Sequence, residues 1–274
     1  MVSPSSRWVD RLTLAILLAW VFCALAGPWF AGQPNEINLS RVLMPPHGGN
    51  SLGYDDLGRS LGDRLLVGAR VSFWIATGVV TLSATLGTLV GTFAAWRGGW
   101  WDHLLVRLMD LFLAFPGILL AIALAGLLGP GIGNGVVALA AVGWVGYARL
   151  ARAQVLSLKY RDHVQAAKVL GVGEGRIVIR HLLPLIMAPL IVEATFGIAA
   201  VVTAEAGLSF LGLGAQPPTA SWGTLIRDGT RYLLVAPHLV LVPGLALAAV
   251  VLAINLLGDR LRDWLDVRGL TIDG

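Results

Sequence analysis

Long apolar runs separated by short charged segments make up most of the 274-residue chain. A helix needs about 20 apolar residues to cross the hydrocarbon core of a bilayer. The apolar residues come in continuous runs rather than in alternation, which favours helices over the strands of a membrane barrel. We therefore predict an all-α, polytopic membrane protein with about six transmembrane helices. The predicted spans are Leu12–Phe30, Val71–Trp96, Leu108–Leu128, Val136–Leu150, Leu185–Ala204 and Pro237–Leu257.

The basic residues predict how these spans are oriented. Fourteen of the 20 Lys and Arg residues fall in the N-terminus, residues 97–107, residues 149–184 and the tail from Asp259. Because Lys and Arg concentrate in cytoplasmic loops, we predict that both termini are cytoplasmic. The first apolar run continues through Trp29 and Phe30, beyond the core of a signal peptide, which favours an uncleaved span.

Composition excludes several classes of protein. Hydrophobic residues make up 56% of the chain and charged residues 13%, whereas charged residues are roughly 25% of a soluble domain. The single cysteine, Cys23, excludes a disulfide framework, and the five histidines have no metal-motif spacing. The net charge of +4 comes without a long basic run, so we expect membrane lipid rather than nucleic acid as a partner.

The connection at residues 157–184 is the longest predicted on the cytoplasmic side, and we call it the coupling loop. Its sequence predicts a short helix, Val164–Leu170, with Asp162 as the N-cap and Gly171 as the stop. Pro184 suits the first turn of the fifth span. The loop is either a basic helix lying on the membrane surface or a docking knob for a cytoplasmic protein.

The spacing within this short helix defines a candidate contact face. Val164, Ala167 and Leu170 recur every three residues and are therefore predicted to share one face. Ala166 and Ala167 are small enough to let another backbone approach closely.

The coupling loop resembles a segment of a known family. Gln165-Ala166-Ala167-x-x-x-Gly171, followed by His181-Leu182-Leu183-Pro184, resembles the "EAA" loop of bacterial ABC-importer permeases, with Gln165 where the family usually has Glu. The resemblance implies that this loop docks on an ATPase. The ATPase-coupling residues it implies are Asp162, Gln165, Ala166, Ala167, Gly171, His181 and Pro184.

Four further segments resemble the C-type permeases of dipeptide, oligopeptide and nickel importers. These segments are Leu52–Ala76, Arg107–Leu124, Glu205–Ile226 and Asn255–Arg268. The resemblance implies the type I permease fold in the bacterial inner membrane. It also implies a homologous second permease, two cytoplasmic ABC ATPase subunits and an extracytoplasmic solute-binding protein as partners.

The resemblance further implies that the chain is a transport subunit and not an enzyme. The sequence agrees, because it contains no G-x-x-x-x-G-K-[ST] phosphate loop. We therefore expect no cofactor on this chain, with ATP and Mg²⁺ used by the partner ATPase subunits. The predicted organisation is an N-terminal anchor with an outer loop and interfacial segment at residues 1–70, and a five-span core at residues 71–274.

Two segments outside the spans carry open alternatives. Asp55–Arg70 contains acidic and basic residues at helical spacing, which predicts a solvated interfacial helix, a docking surface for the binding protein, or a gate. Ser209–Gly223 has too many Gly and Pro residues for a continuous helix. It is either a lining of the translocation mouth or a structural cap.

Charged residues within spans are candidates for function. Glu193 lies in the fifth span and Glu205 at its outer end, and Ser209 begins the irregular segment that follows. We predict these three as candidate pathway residues. Glu193 and Glu205 could instead pair with an Arg of the partner permease.

Peptides are the expected substrate, and nickel, a metal chelate or another small solute are the alternatives with the same architecture. A non-ABC channel and an intramembrane enzyme are remote alternatives. An enzyme would need a nucleophile and base within the spans, and no such motif is present.

Overall fold

A computed structural model of the chain describes the backbone of residues 4–46, 48 and 51–270. Arg7 and Arg268, which contribute to the charge count, lie outside the residues whose side chains are described. The described part is built from helices. They are α1 Pro4–Phe30, α2 Leu61–Arg97, α3 Gly99–Leu113, α4 Gly117–Leu128, α5 Ile132–Leu158, α6 Asp162–Val169, α7 Glu174–Ile177, α8 Leu183–Phe210, α9 Trp222–Thr230 and α10 His238–Leu270.

The number of membrane crossings agrees with the prediction of about six. Among the described helices, α1, α2, α5, α10 and the continuous α7–α8 segment are long and apolar enough to span a membrane. The pair α3 and α4, bent by 85° at its junction, brings the number to six if it counts as one broken crossing. A π-helical turn at Val178–Leu182 joins α7 to α8.

The expectation of one unbroken helix across Leu108–Leu128 is wrong. The helix stops at Leu113 and restarts at Gly117. Pro116 has no N–H to donate and disfavours the helical conformation at Phe115, so it breaks the helix there. Both halves still pack along α5, since Gly117 lies beside Val142 and the Phe112 ring lies 5.6 Å from that of Trp144.

The second crossing is longer than predicted and absorbs part of the interfacial segment. Ser60 caps α2, its hydroxyl accepting a hydrogen bond from the Asp63 N–H at 3.4 Å. The helix then runs without interruption to Arg97. The predicted helix across Asp55–Arg70 is therefore corrected to a turn before Ser60 and a helix after it, and the predicted boundary after residue 70 falls within α2.

Two glycines let α2 and α5 pack closely. A Cβ on Gly87 would collide with the Trp144 carbonyl, and a Cβ on Gly91 would collide with the Ala148 carbonyl. Gly87 and Gly91 are four residues apart, the spacing of small residues at membrane helix interfaces. This contact fixes α5 and therefore the position of the coupling loop that follows it.

Candidate functional site

The coupling loop contains the short helix that the sequence predicts, with one difference at its start. Helix α6 begins at Asp162, and Arg161 occupies the N-cap position. The prediction of Asp162 as the N-cap is therefore wrong. Its carboxylate lies in the first turn, where a negative charge interacts favourably with the helix dipole. The predicted stop is confirmed, because Gly171 has a φ of +76°, a conformation that glycine adopts without strain.

The two faces of α6 have different surroundings. Val164 and Ala167 are buried, together with Ile177, in an apolar cluster that the loop shares with α2, α5 and α8. Leu170 is 81% exposed, so it does not share their face, and Val169 is 87% exposed. We define the docking face as four of the exposed residues here: Asp162, Ala166 and Val169 of α6, and Leu170, its C-cap residue.

Gln165 has a defined role inside the chain. Its Nε2 donates a hydrogen bond to the carbonyl oxygen of Lys159 at 2.9 Å, next to the end of α5. An ionised glutamate has no hydrogen to donate at this position. His181 is half-buried in the π-helical turn, and Pro184 lies in the first turn of α8 as predicted.

An apolar cleft of about 640 Å³ lies between α4, α5, α8 and α10. It adjoins the start of α4, directly after the break in the third crossing. Irregular backbone at membrane depth is found where it is buried in protein or lines a cavity. The sequence analysis did not identify this lining. The available signal was Pro116, which breaks the helix beside the cleft. The residues that line the cleft include Gly117, Gly143, Phe196, Ala200, Thr203, Gly207 and Asn255.

Glu193 continues the face of α8 that lines the cleft. Phe196, Ala200, Thr203 and Gly207 follow one another at spacings of four, three and four residues, and Glu193 precedes Phe196 by three. The Glu193 side chain is exposed, and its Oε1 lies 3.5 Å from the position of a Cβ built on Gly146. A single carboxylate therefore lies one turn from the cleft, on the side of the coupling loop.

Glu205 and Ser209 lie in a different environment, inside the protein. Glu205 accepts hydrogen bonds from the Ser209 hydroxyl at 2.7 Å and from the Ser72 hydroxyl at 3.0 Å. Ser209 in turn accepts one from the Ala215 N–H at 3.2 Å. These bonds join α8 to α2 and to the segment after α8.

Charged residues form a cluster at the end of the molecule opposite the coupling loop. Arg59 pairs with Asp55 at 2.7 Å and with Asp56 at 3.6 Å, and Arg64 pairs with Asp55 at 3.4 Å. The predicted pairing is confirmed, but the solvated helix is wrong, since Asp55 and Arg64 are buried. Burial, and secondly the negative charge of Asp55, raise the pKa of Asp56. We call these four residues the distal cluster.

The described residues contain no group of three His, Cys, Asp or Glu side chains placed to hold a metal ion. His47 lies outside the described residues.

The membrane crossings, the exposed loop and the cleft beside a broken helix define a polytopic α-helical membrane protein. Residues 87–268 match the family "Binding-protein-dependent transport system inner membrane component". The chain belongs to this family. It is thus a multi-pass inner-membrane permease subunit and not the ATPase, as the sequence predicted.

Curated relatives match over nearly the whole chain. A putative peptide transport system permease protein of Brucella suis is 44% identical over 96% of this chain and 89% of its own length. The dipeptide permease DppC of Alkalihalophilus pseudofirmus is 40% identical, covering 92% and 84% respectively. The nickel permease NikC of Escherichia coli K12 is 39% identical, covering 96% and 95%.

A solved structure confirms the permease fold. A chain of the MetNI methionine ABC transporter, in an inward facing conformation, matches with a TM-score of 0.58 and 19% identity. The match covers 73% of this chain and 95% of that chain.

Proposed function

We propose that this chain forms half of the translocation pathway of an ATP-driven peptide importer. The similarity to permeases named for peptide and dipeptide transport, at 40–44% identity, carries this proposal. Nickel or a metal chelate is the second candidate, because NikC of Escherichia coli is also similar over most of both chains.

The cleft and Glu193 are the proposed pathway lining of this chain. A homologous second permease would close the open side of the cleft and complete the pathway. The Glu193 carboxylate would attract the cationic amino terminus of a peptide in this apolar setting, where water screens charge poorly. Glu205 and Ser209 would join the lining only where their present hydrogen bonds to Ser72 and Ala215 open.

The proposed cytoplasmic partners are two ABC ATPase subunits, which bind ATP and Mg²⁺ and dock on the coupling loops of this chain and of the second permease. Val169 and Leu170 are adjoining exposed apolar residues, and exposed apolar surface of this kind marks sites of protein–protein contact. In this arrangement both termini are cytoplasmic, and a solute-binding protein docks at the opposite surface. The proposed anchor and outer loop comprise residues 1–70 and the proposed transport core comprises residues 71–274, with α2 continuous across the two.

Uptake into proteoliposomes tests the substrate. The complete transporter, with its binding protein outside and ATP inside, is offered a labelled dipeptide and, separately, labelled nickel. We expect ATP-dependent accumulation of the dipeptide. Accumulation of nickel without dipeptide would contradict the peptide assignment and favour the second candidate, and no accumulation without ATP is the control.

A further inference from the structure

The coupling loop contacts a third helix besides α5 and α8, which flank it. The Lys159 ammonium donates hydrogen bonds to the carbonyl oxygens of Ala95 at 3.0 Å and Trp96 at 2.7 Å. Both carbonyls belong to the last turn of α2, where backbone acceptors lack partners within the helix. The loop therefore supplies the C-terminal cap of α2.

The Trp96 side chain contacts three charged groups of the loop. The Lys168 ammonium lies 4.7 Å from the ring centroid and that of Lys159 lies 5.8 Å from it, both within the range of cation–π attraction. The indole N–H donates to Glu174 Oε2 at 3.3 Å. Because Lys168 is on α6 and Glu174 is on α7, one side chain of α2 holds both short helices.

We infer that Trp96 is a positioning residue that makes α2 move together with the coupling loop. The inference rests on the proposed docking of the ATPase subunits at α6. Movement of the loop then reaches α2 directly at Trp96, and the close packing of Gly91 against Ala148 keeps α2 and α5 together. At its other end α2 carries Arg64 of the distal cluster. The helix thus connects the ATPase side to the opposite surface.

The test compares three variants in the complete transporter. Trp96→Leu removes the aromatic face and the indole donor, whereas Trp96→Phe keeps a ring face for both lysines. Trp100→Leu is the control, because Trp100 is 68% exposed and its ring lies against Trp101. In proteoliposomes we measure uptake and ATP hydrolysis together, with and without loaded binding protein.

For Trp96→Leu we expect ATP hydrolysis to continue while uptake per ATP falls about five-fold or more. A factor of about five is the lower end of the effect that one site typically exerts on another. Trp96→Phe is expected to recover most of the coupling, and Trp100→Leu to match the wild type. Equal coupling in Trp96→Leu and Trp100→Leu would overturn the inference. Failure of ATPase subunits to bind the wild-type chain would instead overturn the proposed function.

A distance measurement covers the case in which Trp96→Leu does not assemble. Spin labels are placed at Arg97→Cys and Arg176→Cys, both exposed positions, in a Cys23→Ser chain that keeps Trp96. We expect the same distance with and without ATP, since α2 and the loop move as one body. A change comparable with one helical turn, about 5.4 Å, would overturn the inference.

Discussion

Two glutamates of α8 differ in their surroundings although both lie in one apolar helix. Glu205 is buried and accepts two serine hydrogen bonds, whereas Glu193 is exposed next to the cleft. Glu205→Ala should therefore lower the stability of the protein by about 1–3 kcal/mol, because Ser72 and Ser209 lose their acceptor. Thermal unfolding of the purified transporter measures this loss.

Glu193→Ala is the matched variant and should behave in the opposite way. We expect unchanged thermal stability and peptide uptake reduced several-fold, because a carboxylate beside the pathway is lost without breaking a described hydrogen bond. Normal uptake kinetics in this variant would show that Glu193 does not line the pathway.

The Arg152–Asp102 pair gives a second prediction for single residues. The guanidinium donates to both carboxylate oxygens, at 2.6 and 2.7 Å, which is the strong two-point geometry of such pairs. Asp102→Asn should therefore destabilise the protein by about 1 kcal/mol. The control is Arg260→Gln at the more exposed pair with Asp10, where no measurable change is expected. Equal changes in the melting temperature would contradict this account.

Sequence reasoning identified the important residues of the coupling loop better than it predicted which of their side chains face outward. Spacing identified Ala167, and helix-stop chemistry identified Gly171, whereas Gln165 was identified only through the resemblance to the EAA loop. Sequence reasoning could not predict that Leu170 turns outward, because the helix ends at Val169 and three-residue spacing no longer applies beyond that point. The bond from Gln165 to Lys159 depends on the path of the chain after α5, which local sequence does not specify.

At the scale of helices, the packing of α2 on α5 can be tested with one methyl group. Gly91→Ala places a Cβ against the Ala148 backbone, so the helices must separate or shift. We expect less folded protein in the membrane and a lower melting temperature. Gly78→Ala on the same helix is the control, since a Cβ there meets open space. Equal yield and stability of both variants would show that this close approach is not needed.

Hydrophobic patterning predicted the membrane-spanning segments but not how they are joined, and it did not predict α9. Apolar runs of about 20 residues identified every crossing, because the bilayer sets their length. The pattern could not separate α3 from α4, since the residues on both sides of Pro116 are apolar. It also placed the start of α2 too late, because the polar first turn after Ser60 is buried by tertiary contacts.

At the scale of the whole molecule, the parts with proposed functions lie along α2, α5 and α8. The docking face is between α5 and α8, the cleft lies between them at membrane depth, and the distal cluster is at the far end of α2. The charge distribution of the sequence predicts which loops face the cytoplasm, and this orientation stays a prediction. The cleft itself could not be predicted, because four helices distant in sequence form it.

Binding of the ATPase subunits is the most direct test of the central claim that this chain is an importer permease coupled through α6. The ATPase subunits are co-expressed with the tagged chain, with Leu170→Asp, or with Leu234→Asp, whose side chain is 98% exposed on the turn between α9 and α10. Ala167→Asp is less suitable, since Ala167 is buried and its loss would unfold the loop. The account predicts that ATPase subunits co-purify with the wild type and Leu234→Asp but not with Leu170→Asp, with all three chains in the membrane. Co-purification and normal uptake with Leu170→Asp would contradict it.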